Sequence, residues 1–128
     1  MILVDSSVWI DYFNGIRNSQ TKKLDDFLEN DLVTIGDIIL TEVLQGFRND
    51  SDYRLAKTHL TKLHCYAISN KNMALKSAEN FRKLRKMGLT VRKKVDMLIG
   101  TFCIENKIPL LTNDKDFEMI AHLGLKLV

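Results

Sequence analysis

The first thirteen residues, MILVDSSVWIDYF at positions 1–13, hold the most informative pattern of the sequence. Residues 1–4 form a short, continuous apolar run, which is typical of a strand that is buried on both faces of a parallel sheet. Asp5 ends the run, and Ser6 or Ser7 is placed to cap a helix whose apolar side chains recur at helical spacing. A buried strand that passes directly into an amphipathic helix predicts an α/β fold.

The same alternation of short apolar runs and helical patterns continues along the chain. The apolar runs predict strands at residues 1–4, 32–35, 65–68, 110–112 and 125–128. Helical patterns fill the intervals, which favours parallel strands joined by right-handed crossovers. We therefore expect a three-layer α/β/α sandwich with a central, mostly parallel sheet of about five strands. We also expect residues 1–128 to form a single domain.

Composition argues against several classes of protein. The chain is 45% hydrophobic and 27% charged, and these ordinary globular values exclude a disordered polymer. No apolar run reaches the roughly 18 residues of a membrane span, so we expect no membrane association. The two cysteines, Cys65 and Cys103, lie in no metal-binding spacing. This pattern argues against structural zinc and favours a cytoplasmic location. The net charge of +3 is compatible with a polyanionic partner.

Four acidic residues stand out by their positions. Asp5 and Asp114 follow predicted strands, and in open parallel sheets the functional groups collect at the carboxyl ends of strands. Glu42 and Asp96 are single charges within apolar helical stretches, where burial is costly unless the charge is paired or bound to a metal. Taken singly, Asp5 is also explained as a helix cap, Glu42 as a solvent-facing residue and Asp96 as a favourable charge in a first helical turn. Asp114 is also explained as a turn residue.

Taken together, the four acids point to a bound metal ion. Two carboxylates about 5 Å apart repel by about 3 kcal/mol at an effective dielectric of 20, so four in one pocket need a compensating cation. Oxygen ligands without a nearby histidine or thiolate suit a hard ion, Mg²⁺ or Mn²⁺. Such an ion activates water and stabilises the charge that develops on a phosphoryl group. The predicted chemistry is therefore hydrolysis of a phosphodiester.

Four segments of the chain resemble those of a known family. In chain order they are VDSSVWID at 4–11, TEVLQG at 41–46, VDMLIG at 95–100 and LLTNDKDF at 110–117. In these residues and their order the chain resembles PIN-domain nucleases over almost its whole length, and most closely the VapC-type toxins of toxin–antitoxin pairs. The resemblance implies an endoribonuclease that uses Mg²⁺ or Mn²⁺ to hydrolyse RNA. It also implies a VapB-like antitoxin as partner and a homodimer.

The resemblance also assigns roles to individual residues. The family's metal-binding, catalytic acids correspond to Asp5, Glu42, Asp96 and Asp114. Asp116 matches a further acid of the last segment, and we interpret it first as a helix cap and second as a water-bridged contact to the metal. Ser6 and Thr112 match hydroxyl positions that line the site in the family.

A basic stretch precedes Asp96. Every charged residue between positions 82 and 94 is basic, and the stretch ends in Arg92, Lys93 and Lys94. A solvated helix face explains part of this pattern, but its place next to Asp96 favours contact with the RNA backbone. The six glycines form no phosphate-binding loop motif. The competing hypothesis, from another class, is a non-catalytic RNA-binding or interaction module on the same fold.

Overall fold

In the computed structural model, which describes residues 1–128, strands and helices alternate along the chain. The strands are β1 (Ile2–Val4), β2 (Val33–Gly36), β3 (His64–Tyr66) and β4 (Leu110–Leu111). The helices are α1 (Ser6–Phe13), α2 (Ser19–Glu29), α3 (Asp37–Gln45), α4 (Asp50–Leu60), α5 (Lys71–Lys86), α6 (Lys94–Asn106) and α7 (Phe117–Ile120). A 3₁₀ turn over Ala121–Leu123 follows α7.

All neighbouring strands in the sheet are parallel, in the order β3-β2-β1-β4. The predicted α/β architecture, a parallel central sheet flanked by helices, is therefore confirmed. The chain adds β2 and β3 on one side of β1 and later places β4 on the other side, so the strand order reverses between β1 and β4. In open parallel sheets, ligands bind in the crevice beyond the carboxyl ends of the strands at such a reversal. Asp5 follows β1 and Thr112 follows β4, so both lie at this crevice.

The sheet has four strands, and the prediction of five is wrong by one. The terminal segment 125–128 pairs with β4 only through a single bridge between Leu110 and Leu127. Its two backbone hydrogen bonds, at 2.9 and 3.0 Å, both use Leu110. Because β4 is only two residues long, the terminal segment finds no further residue with which to extend the ladder.

One cluster of 25 buried residues forms the core between the sheet and the inner faces of the helices. All three residues of β1 are buried, as expected of a strand covered on both faces. The charge that follows β1 fixes its register, because a shift of one residue would draw Asp5 into the apolar interior of the sheet at high cost. The position of Asp5 at the end of β1 is thereby fixed as well. None of the helices combines the length and the apolar character that a membrane-spanning helix needs.

Helix α1 is capped by Asp5, and the prediction that Ser6 or Ser7 caps it is wrong. The backbone of Asp5 is extended, and its side chain accepts a hydrogen bond from the amide of Ser7. A carboxylate at this position satisfies one of the free amide groups that every helix start exposes. The structural explanation of Asp5 as a helix cap is thus correct, and the same residue lies in the crevice.

Candidate metal centre

Four acids from separate elements line one cleft of about 310 Å³ at the carboxyl edge of the sheet. They are Asp5 after β1, Glu42 in α3, Asp96 in the first turn of α6 and Asp114 after β4. The cleft is completed by Ser6, Ser7, Ile10, Gln45 and Lys93. The structure therefore brings together the four residues that the sequence predicted as metal ligands.

Hydroxyl groups hold the buried carboxylate of Asp5 in place. Its Oδ2 accepts hydrogen bonds from Ser7 Oγ at 2.7 Å and from Thr112 Oγ1 at 3.0 Å, as well as the capping bond from the Ser7 amide. Oδ1 accepts none of these three bonds, so one carboxylate can cap α1 and still present an oxygen to a ligand. Burial raises the pKa of Asp5, and the hydroxyl bonds oppose that rise.

Glu42 and Asp96 each bury an oxygen that has no hydrogen-bond partner, Oε1 of Glu42 and Oδ2 of Asp96. Burial, followed by the charges of Asp5 and Asp114, raises the pKa of Asp96 to about 7, while Lys93 opposes the shift. Burial and the charge of Asp5 also raise the pKa of Glu42. A buried carboxylate oxygen without a partner loses its hydration without compensation, which is costly. A cation bound between these residues would supply the missing partner.

The carboxylates that lie nearest to one another belong to Asp96, Asp114 and Asp116, with one oxygen of each within 4.8 Å of the others. Asp114 Oδ1 accepts a hydrogen bond from the amide of Asp116 at 2.9 Å. Asp114 Oδ2 lies 3.5 Å from Lys93 Nζ. Asp116 therefore stands beside the four predicted ligands, although it does not line the cleft itself.

The interpretation of Asp116 as a helix cap is wrong. Asp116 occupies the position before α7, but its side chain makes no capping hydrogen bond. Its backbone is helical (φ −61°, ψ −25°), whereas a capping residue has an extended backbone from which its side chain reaches the first amides. The carboxylate instead accepts hydrogen bonds from the guanidinium of Arg92 at 3.2 to 3.4 Å.

The chemistry of the donor set fits a hard divalent cation. The charged ligand atoms of the cleft are carboxylate oxygens, and neither a histidine nor a cysteine lines it. Mg²⁺ and Mn²⁺ prefer such oxygen ligands. The two partnerless oxygens of Glu42 and Asp96 add a second reason, because both belong to residues that line the cleft and a cation bound there would supply the missing partner.

The two hydroxyl residues predicted from the sequence lie at the site in different ways. Ser6 lines the cleft directly. The hydroxyl of Thr112 donates a hydrogen bond to Asp5 Oδ2 and accepts a hydrogen bond from the amide of Asp114 at 3.0 Å. Thr112 thereby links two of the acids.

Ser7 and Gln45, which line the cleft, and Gln20, which contacts Thr112, were missed as functional residues. The hydroxyl of Ser7 donates a hydrogen bond to Asp5 and accepts one from the amide of Asn113 at 3.0 Å. These two bonds connect the loop after β4 to the end of β1. Gln20 Nε2 donates to the carbonyl of Thr112 at 2.8 Å. Ser7 had a sequence signal, since it follows a capping aspartate by two residues. The sequence around Gln20 gave no such signal, because the carbonyl that Gln20 contacts lies 92 residues away along the chain.

The three basic residues predicted to contact RNA, Arg92, Lys93 and Lys94, lie in three different environments. Lys93 lines the acidic cleft, and the charges of Asp96 and Asp114 raise its pKa. Arg92 is paired with Asp116. Lys94 lines a separate groove between α5 and α6. Lys93 is therefore the basic residue that the fold places among the acids.

Known proteins share both the sequence pattern and the fold. The PIN domain family matches residues 2–123. Ribonuclease VapC11 of Mycobacterium tuberculosis is 26% identical over 125 residues, which cover 96% of this chain and 93% of that protein. The fold is similar to VapBC2 from Rickettsia felis bound to a DNA fragment from its promoter (TM-score 0.78, 22% identity, 100% of this chain and 98% of that chain). It is also similar to DNA-bound VapBC from Salmonella typhimurium (TM-score 0.76, 16% identity, 100% and 98%). Because the family match spans nearly the whole sequence, the chain belongs to the PIN domain family.

Proposed function

We propose that the protein is a metal-dependent endoribonuclease that acts as the toxin of a toxin–antitoxin pair. The observation that carries the proposal is the convergence of four carboxylates, from four separate segments, in one cleft of a PIN domain. Such a cleft suits the hydrolysis of a phosphodiester bond. The similarity to a protein named ribonuclease VapC11 supports RNA as the substrate.

In this proposal the ligands of one or more Mg²⁺ or Mn²⁺ ions are Asp5, Glu42, Asp96 and Asp114. The partnerless oxygens of Glu42 and Asp96 support this assignment. A bound cation supplies an activated water molecule and stabilises the charge that develops on the phosphoryl group. Asp116 takes part through a bridging water, because its own carboxylate is already bonded to Arg92.

The other residues of the site orient the acids, favour their ionised form and place a positive charge beside them. Ser7 and Thr112 fix the carboxylate of Asp5 through Oδ2. A hydrogen bond from the Ser6 side chain lowers the pKa of Glu42 and so opposes the effect of burial, because a donor stabilises the ionised carboxylate. Lys93 brings positive charge to a pocket that would otherwise repel a phosphate, so we assign it the contact with the RNA backbone near the scissile bond.

The proposal includes a partner, an oligomeric state and a location. The partner is a VapB-like antitoxin, which is supported by the similarity of the fold to VapBC2 from Rickettsia felis. The oligomeric state is a homodimer, and each subunit is a single PIN domain over residues 1–128 with the one core cluster of 25 residues. The location is the cytoplasm, whose reducing conditions suit the two free thiols, Cys65 and Cys103.

The test is metal-dependent cleavage of RNA by the purified protein. Total cellular RNA is incubated with wild type in Mg²⁺, in Mn²⁺ or in EDTA, and new ends are mapped by sequencing. Cleavage is expected with either metal and not in EDTA, and Asp5→Asn should be inactive. This variant keeps an oxygen that can cap α1, so its folding should be intact. RNA binding without cleavage in every metal condition would contradict the proposal and favour the non-catalytic module.

A further inference from the structure

A second cavity lies between α5 and α6. This α5–α6 groove has a volume of about 490 Å³, larger than the acidic cleft. Its apolar lining consists of Ala74, Ala78, Phe81, Val91, Met97 and Leu98. Alanine at two positions of α5 leaves space that a longer side chain would fill, and both alanines are exposed. An open apolar groove along a helix is the kind of surface into which an amphipathic helix or an apolar peptide packs.

Three cations stand around this apolar lining, namely Arg82, Arg85 and Lys94, and no acid lines the groove. All three are exposed. None of them forms an ion pair within the chain, whereas the adjacent Arg92 and Lys93 are paired with acids of the site. The groove therefore combines apolar surface with unneutralised positive charge.

The lining distinguishes a protein partner from RNA. Single-stranded RNA sites use open aromatic faces on which bases stack. The one aromatic ring of the groove is Phe81, and the guanidinium of Arg85 already lies over it, 5.5 Å from the ring centroid. The rest of the lining is aliphatic apart from Ser77 and the three cations. Phosphates would use the cations but would gain nothing from the apolar lining.

A second copy of the chain is also a poor match. In a two-fold symmetric dimer the same patch meets itself. Groove against groove would bring Arg82 and Arg85 of one copy towards the same cations of the other, with no acid in the lining to separate them. Like charges placed opposite one another at an interface are costly.

We propose that the α5–α6 groove is a docking site for an acidic amphipathic segment of another protein. Apolar side chains of that segment fill the space above Ala74 and Ala78, and its carboxylates face Arg82, Arg85 and Lys94. The groove is separate from the acidic cleft, so the proposal stands whether or not the cleft cuts RNA.

The test is a selection from a library of random displayed peptides on the immobilised full-length protein. Enriched peptides should combine Asp or Glu with Leu, Ile or Phe at helical spacing. A labelled synthetic copy of the most enriched peptide should bind Arg82→Glu/Arg85→Glu about tenfold or more weakly than wild type. Lys83→Glu/Lys86→Glu is the matched control, because it makes the same charge change on α5 at residues that do not line the groove. This control should bind like wild type.

A second variant, Ala78→Trp, fills the groove without a change in charge and should also weaken binding. Circular dichroism of every variant establishes that it is folded. Absence of enrichment, peptides without acidic residues, or equal loss in the lysine control would overturn the proposal. Displacement of the peptide by an oligouridine RNA would overturn it in favour of a nucleic-acid site. A dimer that light scattering finds disrupted only in the groove variants would overturn it in favour of a second copy.

Discussion

The acidic cleft and the α5–α6 groove are neighbours that use charge in opposite ways. Adjacent lysines belong to each, Lys93 to the cleft and Lys94 to the groove. In the cleft, buried carboxylates face one another, and their burial and mutual repulsion raise the pKa of Asp96 to about 7. In the groove, the cations are exposed to solvent. Ionisation of the cleft therefore works against folding until a cation binds, whereas the solvent-exposed charge of the groove is available for binding without a comparable cost.

The largest effect is expected from Asp96→Asn. Loss of a buried metal ligand should reduce RNA cleavage by more than about a hundredfold, since even the groups that support metal ligands are worth 10–100-fold. The free energy of unfolding in EDTA at pH 8 should equal or exceed that of wild type, because repulsion among Asp5, Asp96 and Asp114 is relieved. Cleavage assays and urea denaturation measure the two effects.

The matched control for this variant is Glu105→Gln. It removes an acid from the same helix at an exposed position outside the cleft, where Glu105 pairs with Lys76 at 2.9 Å. Activity should be unchanged and stability should stay within about 0.5 kcal/mol of wild type. If Asp96→Asn retained full cleavage, or unfolded the chain, Asp96 would be a fold determinant and not a ligand.

A divalent metal should stabilise the folded protein when it is free of any antitoxin. At a free concentration 100 times the dissociation constant, the gain is about 2.7 kcal/mol if the unfolded chain does not bind the ion. Thermal unfolding in Mn²⁺ and in EDTA measures this gain, which should disappear in Asp96→Asn and remain in Glu105→Gln. An equal shift in both variants would place the stabilising ion outside the cleft.

Stability without metal should fall as the pH rises. The pKa of Asp96 is about 7 in the folded chain, above the ordinary value of 3.8 that applies to the unfolded chain. The folded state therefore binds more protons between about pH 4 and pH 7, and its free energy of unfolding decreases across that interval. In EDTA, the stability of wild type relative to Asp96→Asn should be lower at pH 8 than at pH 5. A relative stability that does not change with pH would contradict the buried, repelled carboxylate.

The smallest effect is expected from Lys93→Gln, which should change the affinities for Mn²⁺ and for RNA in opposite directions. Loss of the ammonium group that faces Asp96 and Asp114 should increase the affinity for Mn²⁺, because a competing positive charge is removed. It should weaken RNA binding and reduce the salt slope by roughly 0.7 for the one lost phosphate contact. Calorimetry and binding assays in Ca²⁺ at several salt concentrations measure these changes. Lys94→Gln makes the same charge change at the next residue and should leave metal affinity unaltered.

The acids and the sheet were predictable from the sequence because their signals are local. A buried run followed by Asp5 predicts a strand end, and isolated charges such as Glu42 and Asp96 within apolar helices are conspicuous wherever they occur. Parallel topology then places Asp5 and Asp114, which follow strands, at one edge of the sheet, and α3 and α6 bring Glu42 and Asp96 to the same edge.

The parts that could not be predicted depend on distant contacts or on exact backbone angles. Gln20 contacts a carbonyl at the other end of the chain, and no pattern near Gln20 announces this contact. Whether Asp116 caps α7 depends on its φ and ψ, which its neighbours in sequence do not determine. The surroundings of Arg92, Lys93 and Lys94 depend on the residue at which α6 begins. Arg92 therefore pairs with Asp116, Lys93 lines the acidic cleft and Lys94 lines the α5–α6 groove. The missing fifth strand reflects the two-residue length of β4.

The most direct test of the central claim, that the cleft is a metal centre, is a crystal structure of the protein soaked in Mn²⁺. Anomalous scattering locates the ion without reference to the expected site. We expect a peak in the cleft, within coordination distance of carboxylate oxygens of Asp96 and of at least one among Asp5, Glu42 and Asp114. We expect no such peak in Asp96→Asn. A wild-type crystal with no peak in the cleft at millimolar Mn²⁺, or with its ion held by other residues, would contradict the account.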